Sequence, residues 1–216
     1  KELLILMTAG MSTVSGSIMI ALVSMLSPQF PDINLIQHLV SASILSIPAA
    51  IMYANIMIPS SKITNFDGSS VPKVYDSSMD AITRGTRDGL EICLNVAAIL
   101  IAFIALVSLL NSILGIAGNW IGLRDLSLQL ILGYIFFPIV WLMGLPTSEA
   151  LVGAELLGLK TALNEFVAYG ALANIEPDLL SDKSKLIILY GLCGFANFSS
   201  VGILVTGISA MAPERK

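Results

Sequence analysis

Charged residues are absent from five long stretches of this chain: Leu3–Pro31, Ile33–Ser61, Ile92–Leu123, Leu126–Ser148 and Leu186–Pro213. A helix crossing a bilayer needs about 20 mostly apolar residues, and each stretch exceeds that. Only 12% of the 216 residues are charged and mean hydropathy is +0.87, against roughly 25% charged in soluble domains. The expected class is an all-α polytopic membrane protein. The net charge of −4 resides in short connectors and forms no basic patch, which excludes nucleic acid as a partner. Cys93 and Cys193 both lie in apolar runs and read as small buried hydrophobes. His38, the only histidine, reads as an interfacial residue with no metal-ligand set around it.

The polar connector Pro59–Gly89 carries Lys62, Lys73, Arg84 and Arg87, and the turn Ser27–Asn34 has no positive charge. The positive-inside rule places the connector in the cytoplasm and the turn outside. Arg215 and Lys216 put the chain's end in the cytoplasm as well. From Asp125 outside to Lys216 inside an odd number of crossings is required. We therefore expect two transmembrane helices over 1–58, the first interrupted at 13–17. A cytoplasmic connector over 59–89 includes a short interfacial helix from Ser77 to Leu90. A long scaffold helix over 90–118, an external interfacial helix over 126–144, a re-entrant hairpin over 149–175 and an interrupted transmembrane helix over 185–211 follow. Two full spans in place of the interfacial helix and hairpin keep the same parity.

Three polar clusters fall at membrane depth, where polar groups are expensive and mark function by default. Thr8-Ala-Gly-Met-Ser-Thr-Val-Ser-Gly-Ser17 reads either as a small-residue packing seam or as a broken helix. In the second reading Gly16 loosens the backbone, and freed carbonyls with Thr13 or Ser15 hydroxyls coordinate a small cation. Gly158-Leu-Lys-Thr-Ala-Leu-Asn-Glu-Phe-Val-Ala-Tyr169 places Glu165 among apolar residues. In an ideal helix Lys160, five residues away, is poorly matched to it, and a carboxylate accepting ligand hydroxyls is the competing reading. Gly194-Phe-Ala-Asn-Phe-Ser-Ser-Val-Gly202 suggests a second interrupted helix, with small-residue packing as its alternative. Interrupted spans with a polar hairpin point to a transporter site at the bilayer midplane. No nucleophile–base set, phosphate loop or protease pattern is present, so an enzyme is not expected.

These residues resemble the concentrative nucleoside transporter family. Gly158-x-Lys160-x-x-x-Asn164-Glu165-Phe166-Val167-Ala168-Tyr169 looks like the family signature, and Gly194-Phe-Ala-Asn-Phe-Ser-Ser200 is a second match. Leu130-x-x-Gly-Tyr-Ile-Phe-x-Pro-Ile-x-Trp-Leu-Met-Gly144 is similar to the external interfacial helix, and Thr13-Val-Ser-Gly-Ser17 to an unwound fourth span. The resemblance implies an inverted-repeat transporter architecture and a cation-coupled nucleoside symporter in the plasma membrane, most naturally a bacterial inner membrane. It implies a homotrimer in the lipid bilayer. Its implied substrate-binding residues are Glu165, Asn197 and Ser200 on the ribose, Phe195 lining the pocket, Ile18 at the nucleobase, and Asn164. Thr13 and Val14 match the sodium-site positions. Sodium is the expected coupling ion, with a proton as the alternative. A membrane channel, or a non-transporting nucleoside-binding protein on the same fold, is the competing function. The family's first hairpin and last helix are absent from this sequence, so a fragment of a longer chain is expected.

Overall fold

A computed structural model describes residues 2–59, 76–120, 122–123 and 126–211. Lys62, Lys73, Asp125, Arg215 and Lys216, used above to orient the chain, lie outside the described residues. Among the described residues every regular element is helical: α1 (Glu2–Met11), α2 (Gly16–Leu26), α3 (Leu35–Met57), α4 (Ser78–Trp120), α5 (Leu128–Leu142), α6 (Thr147–Ala162), α7 (Glu165–Ala173), α8 (Asp182–Leu192) and α9 (Phe198–Met211), with 3-10 turns at Ser27–Gln29 and Pro177–Leu179. The stretches Leu4–Gln29, Leu35–Met57 and Ile101–Trp120 are long and apolar enough to cross a membrane.

Side chains on the long helices would be anomalous in water. Ile44, Tyr53, Ile101 and Leu109 are all more than half exposed. Lipid or neighbouring protein covers such surfaces, and a helix satisfies its own backbone there. The 43-residue α4 extends about 65 Å at 1.5 Å per residue, twice the hydrocarbon thickness. The separate short helix expected over 77–90 is instead the first part of this one element. Its charged residues, including the Arg84–Asp80 pair at 2.7 Å, precede the apolar half, and no proline interrupts the join. Cys93, expected to be buried, stands exposed on α4, whereas Cys193 is buried.

The core is assembled around the hairpin α6–α7, with α5 and α8 packed on α6, and α2 on α7. Leu22, Leu26, Leu39, Val140, Tyr169, Leu172, Ile188 and Leu189 are essentially inaccessible. Helices α5 and α6 run antiparallel, because Gly158 sits against Gln129 and Leu132 while Gly153 sits against Val140. Small residues let the two backbones approach closely, the usual basis of helix association in lipid. A Cβ at Gly158 would lie 2.9 Å from the Gln129 carbonyl oxygen, a backbone atom that cannot swing aside. Gly158→Ala should therefore lower stability by about 1–3 kcal/mol through overpacking. The control is Gly170→Ala, whose Cβ meets only Met25 Sδ at 3.7 Å and gains helix propensity worth roughly 1 kcal/mol. Thermal unfolding in detergent should move the two midpoints in opposite directions, and equal midpoints would refute the seam.

Further bonds pin the bundle. Asn111 of α4 accepts from Leu128 N–H at 2.8 Å and donates to Gln129 Oε1 at 2.9 Å, fixing the start of α5. Glu149 accepts from Ser181 N–H and Oγ–H at 3.1 and 3.0 Å, tying the mouth of the hairpin to the cap of α8. His38 Nδ1 and the Tyr190 hydroxyl are 2.9 Å apart, joining α3 to α8.

Candidate binding site at the helix breaks

Two interrupted helices and the turn of the α6–α7 hairpin meet in one place. The first break lies at residues 12–15. The Ser12 hydroxyl donates to Ala9 O at 2.7 Å and closes the end of α1. Ser15 takes an extended conformation (φ −67, ψ 151) before α2 begins at Gly16. The break thus falls slightly earlier than the expected 13–17. Gly16 is not its loosened residue but the first residue of α2, since Ser15 already supplies the change of direction.

The second break lies at Leu163 and Asn164, between α6 and α7. Asn164 is extended (φ −165, ψ 169), and its side-chain oxygen accepts from Val167 N–H at 2.9 Å. Its side chain is committed to capping α7, a demand that four unpaired N–H groups at any helix start create. Glu165 is the first residue of α7, where the positive end of the helix dipole favours a carboxylate.

The third break spans 193–197. Asn197 Oδ1 accepts from Ser200 N–H at 2.8 Å, and Ser200 Oγ accepts from Asn197 N–H at 3.0 Å. This reciprocal arrangement is a capping box for α9. Ser199 also donates to Asn197 Oδ1 at 2.6 Å. With its oxygen so fixed, Asn197 aims its amide Nδ2 at Glu165 Oε2, 3.2 Å away. Both side chains are buried, at 5% and 4% exposure.

The first and third breaks touch. Gly194 has φ +116, and a Cβ added to it would be 3.0 Å from Ser12 O. The backbone of one unwound stretch therefore rests directly on that of the other, bringing Thr13 and Val14 beside the chain that leads to Asn197. Of the residues selected from the sequence, Glu165, Asn197 and Ser200 form one bonded cluster, with Asn164 adjoining. Val14 is buried and Thr13 half-buried in the first break. Phe195 is half-buried in the third break, and Ile18 is 37% exposed on the first turn of α2.

Two partners are not readable from the sequence. Lys160 is buried, and its ammonium donates to Gly191 O at 3.1 Å, in the last turn of α8. Tyr169, fully buried, donates its hydroxyl to Leu189 O at 2.8 Å. Both contacts join segments some 20–31 residues apart, and no local spacing rule reports them. Among the described residues no group of three His, Cys, Asp or Glu could hold a metal. An alkali cation takes neutral oxygens instead, and carbonyls and hydroxyls of an unwound helix supply that chemistry.

Helices broken around one buried carboxylate, in a chain whose described residues include three stretches long and apolar enough to cross a membrane, define a polytopic helical membrane protein. The family described as Na+ dependent nucleoside transporter C-terminus matches residues 38–216, and the chain belongs to that family. It is 38% identical to an uncharacterized transporter of Haemophilus influenzae, with all of this chain and 52% of that protein covered. It is 35% identical to nucleoside permease NupC of Helicobacter pylori, covering all of this chain and 51% of that one. Human solute carrier family 28 member 3 is 35% identical, with all of this chain and 33% of that protein covered. A CNTnw variant in an intermediate state superposes with a TM-score of 0.81 at 38% identity, over 99% of this chain and 51% of that chain. CNTnw in an inward-facing substrate-bound state gives 0.76 at 38% identity, over 99% and 50%. The chain spans about half the length of the bacterial relatives it matches and about a third of the human one.

Proposed function

We propose that this chain is the part of a cation-coupled nucleoside symporter that carries the ribose-binding half of the site. The observation that supports this most is the buried Glu165 carboxylate, placed by one helix N-terminus and held by an amide from another. A carboxylate accepts up to about four hydrogen bonds, and Asn197 supplies one. Vicinal hydroxyls of a ribose are suited to the remaining lone pairs, with Asn197 and Ser200 alongside. Phe195 offers an apolar wall, and Ile18 is the residue proposed to meet the nucleobase. Asn164 acts through its cap, fixing the direction of Glu165.

Thr13, by its hydroxyl, and Val14, by its carbonyl, are proposed to bind sodium. The sodium/nucleoside cotransporter 2 of Mus musculus, 32% identical over this whole chain, favours sodium over a proton. The cation and the nucleoside raise each other's affinity by the same factor, as linkage requires. The full protein is proposed to work as a homotrimer in a plasma membrane, a bacterial inner membrane by its bacterial relatives, and to move a carrier domain past a fixed scaffold.

The test is uptake of labelled nucleoside by the full-length protein in proteoliposomes. Accumulation above the outside concentration, lost when sodium is replaced by choline at every pH, is the expected result. Accumulation that follows pH and ignores sodium would assign coupling to protons. Equilibration without accumulation would identify a channel.

A further inference from the structure

Lys160 is a costly residue that the proposed site does not use. A buried ammonium must be paired and hydrogen-bonded to remain where it is. It lies in the last turn of α6, where its charge opposes the negative end of the helix dipole. Its hydrogen bond to Gly191 O reaches one of the last carbonyls of α8, which lacks a partner within its own helix. The C-terminal ends of α6 and α8 thus converge on Lys160, while the N-terminal ends of α7 and α9 converge on Glu165. One cation and one anion complement the four helix ends at the two breaks. Lys160, at the end of α6, and Glu165, at the start of α7, stand on the two sides of the break at Leu163–Asn164, and the two are not among the ion pairs of the described residues.

We propose that Lys160 is the built-in counter-cation of this site, which offsets the buried Glu165 charge while no external cation is bound and so allows the empty carrier to return across the membrane. In the loaded carrier an external cation shares that task. In the empty carrier only Lys160 performs it, together with its hold on α8. This assignment rests on the symporter reading above. It predicts that the two limbs of the cycle depend on Lys160 unequally. Exchange of nucleoside between two loaded sides uses only the loaded limb. Net uptake uses both.

The experiment compares Lys160→Gln, Lys160→Met and Lys160→Arg in the full-length protein, reconstituted into proteoliposomes with sodium. Both neutral variants should lose about tenfold or more of net uptake, since a buried charge left without a compensating one is costly and each tenfold is a fraction of that cost. Nucleoside exchange should stay within about threefold of wild type on the same scale. Lys160→Arg, keeping the charge, should restore net uptake. The role is overturned if exchange and net uptake fall together, or if neither falls. It is equally overturned if the neutral variants fail to fold while Lys160→Arg folds, because Lys160 would then serve assembly. Failure of the symporter reading would show first in the wild type, as absence of nucleoside accumulation, before any variant is compared.

Discussion

Glu165→Gln should weaken nucleoside uptake by the full-length protein by roughly 30–150-fold at limiting substrate. Hydrogen bonds to a charged acceptor contribute about 1.5–3 kcal/mol, against about 0.5–1.5 kcal/mol for neutral ones. Losing that difference at two ribose hydroxyls gives the stated range. Geometry adds to it. Asn197 presents an N–H to Glu165 Oε2, so a glutamine must turn its oxygen toward Asn197 and its NH2 toward the ligand. Asn197 cannot flip to relieve this, because its own oxygen already accepts from Ser199 and Ser200. The substituted amide would then face the ribose as a donor where the carboxylate was an acceptor. The measurement is uptake against nucleoside concentration with sodium saturating, beside 2′,3′-dideoxynucleoside as competitor. Wild-type affinity in the variant, or equal competition by the dideoxy compound in the wild type, would remove Glu165 from the ribose.

Helix class and the location of polar chemistry are legible in the sequence because hydropathy and charge are local properties. A stretch such as Leu35–Met57 declares itself by composition, and Glu165 stands out against its apolar neighbours. Join positions are less legible. Nothing in Ser77–Gly89 separates a surface helix from the opening turns of a longer one, and α4 runs through both. Gly16 reads as the flexible point, yet the turn is made at Ser12–Ser15, where hydroxyls compete for backbone groups. Glycine permits a break without requiring one.

The least legible features are contacts between breaks. Helical spacing makes Lys160 a poor match for Glu165. The break at Leu163–Asn164 makes that spacing irrelevant, and the partner of Lys160 is a carbonyl on another helix. Main-chain acceptors carry no signature, since every residue has one. The capping role of Asn164 is legible in principle from an Asn directly before an acidic residue and an apolar run, but its place in a signature motif points to ligand binding instead.

Gly194→Ala should damage cation coupling more than it damages nucleoside binding. Gly194 has φ +116, a conformation that costs an L residue roughly 1–3 kcal/mol. The added Cβ would also press on backbone, at 3.0 Å from Ser12 O and 3.5 Å from Met11 O. Neither atom belongs to a side chain that could rotate away, so one unwound segment must shift against the other. The Ser12 carbonyl immediately precedes Thr13 and Val14, the residues proposed for sodium. Asn197, three residues beyond Gly194, is held by its reciprocal bonds with Ser200 and by Glu165. That side of the contact is the better anchored, so the displacement should fall mainly on residues 12–14. The half-saturating sodium concentration should rise by about tenfold, the equivalent of about 1.4 kcal/mol. Nucleoside affinity at saturating sodium should change little, whereas at low sodium it should fall, because the coupling is reciprocal. Sodium titrations of uptake at fixed nucleoside, repeated with nucleoside varied at fixed sodium, separate the two. An unchanged sodium requirement in a folded Gly194→Ala protein would show that contact between the breaks plays no part in holding the cation.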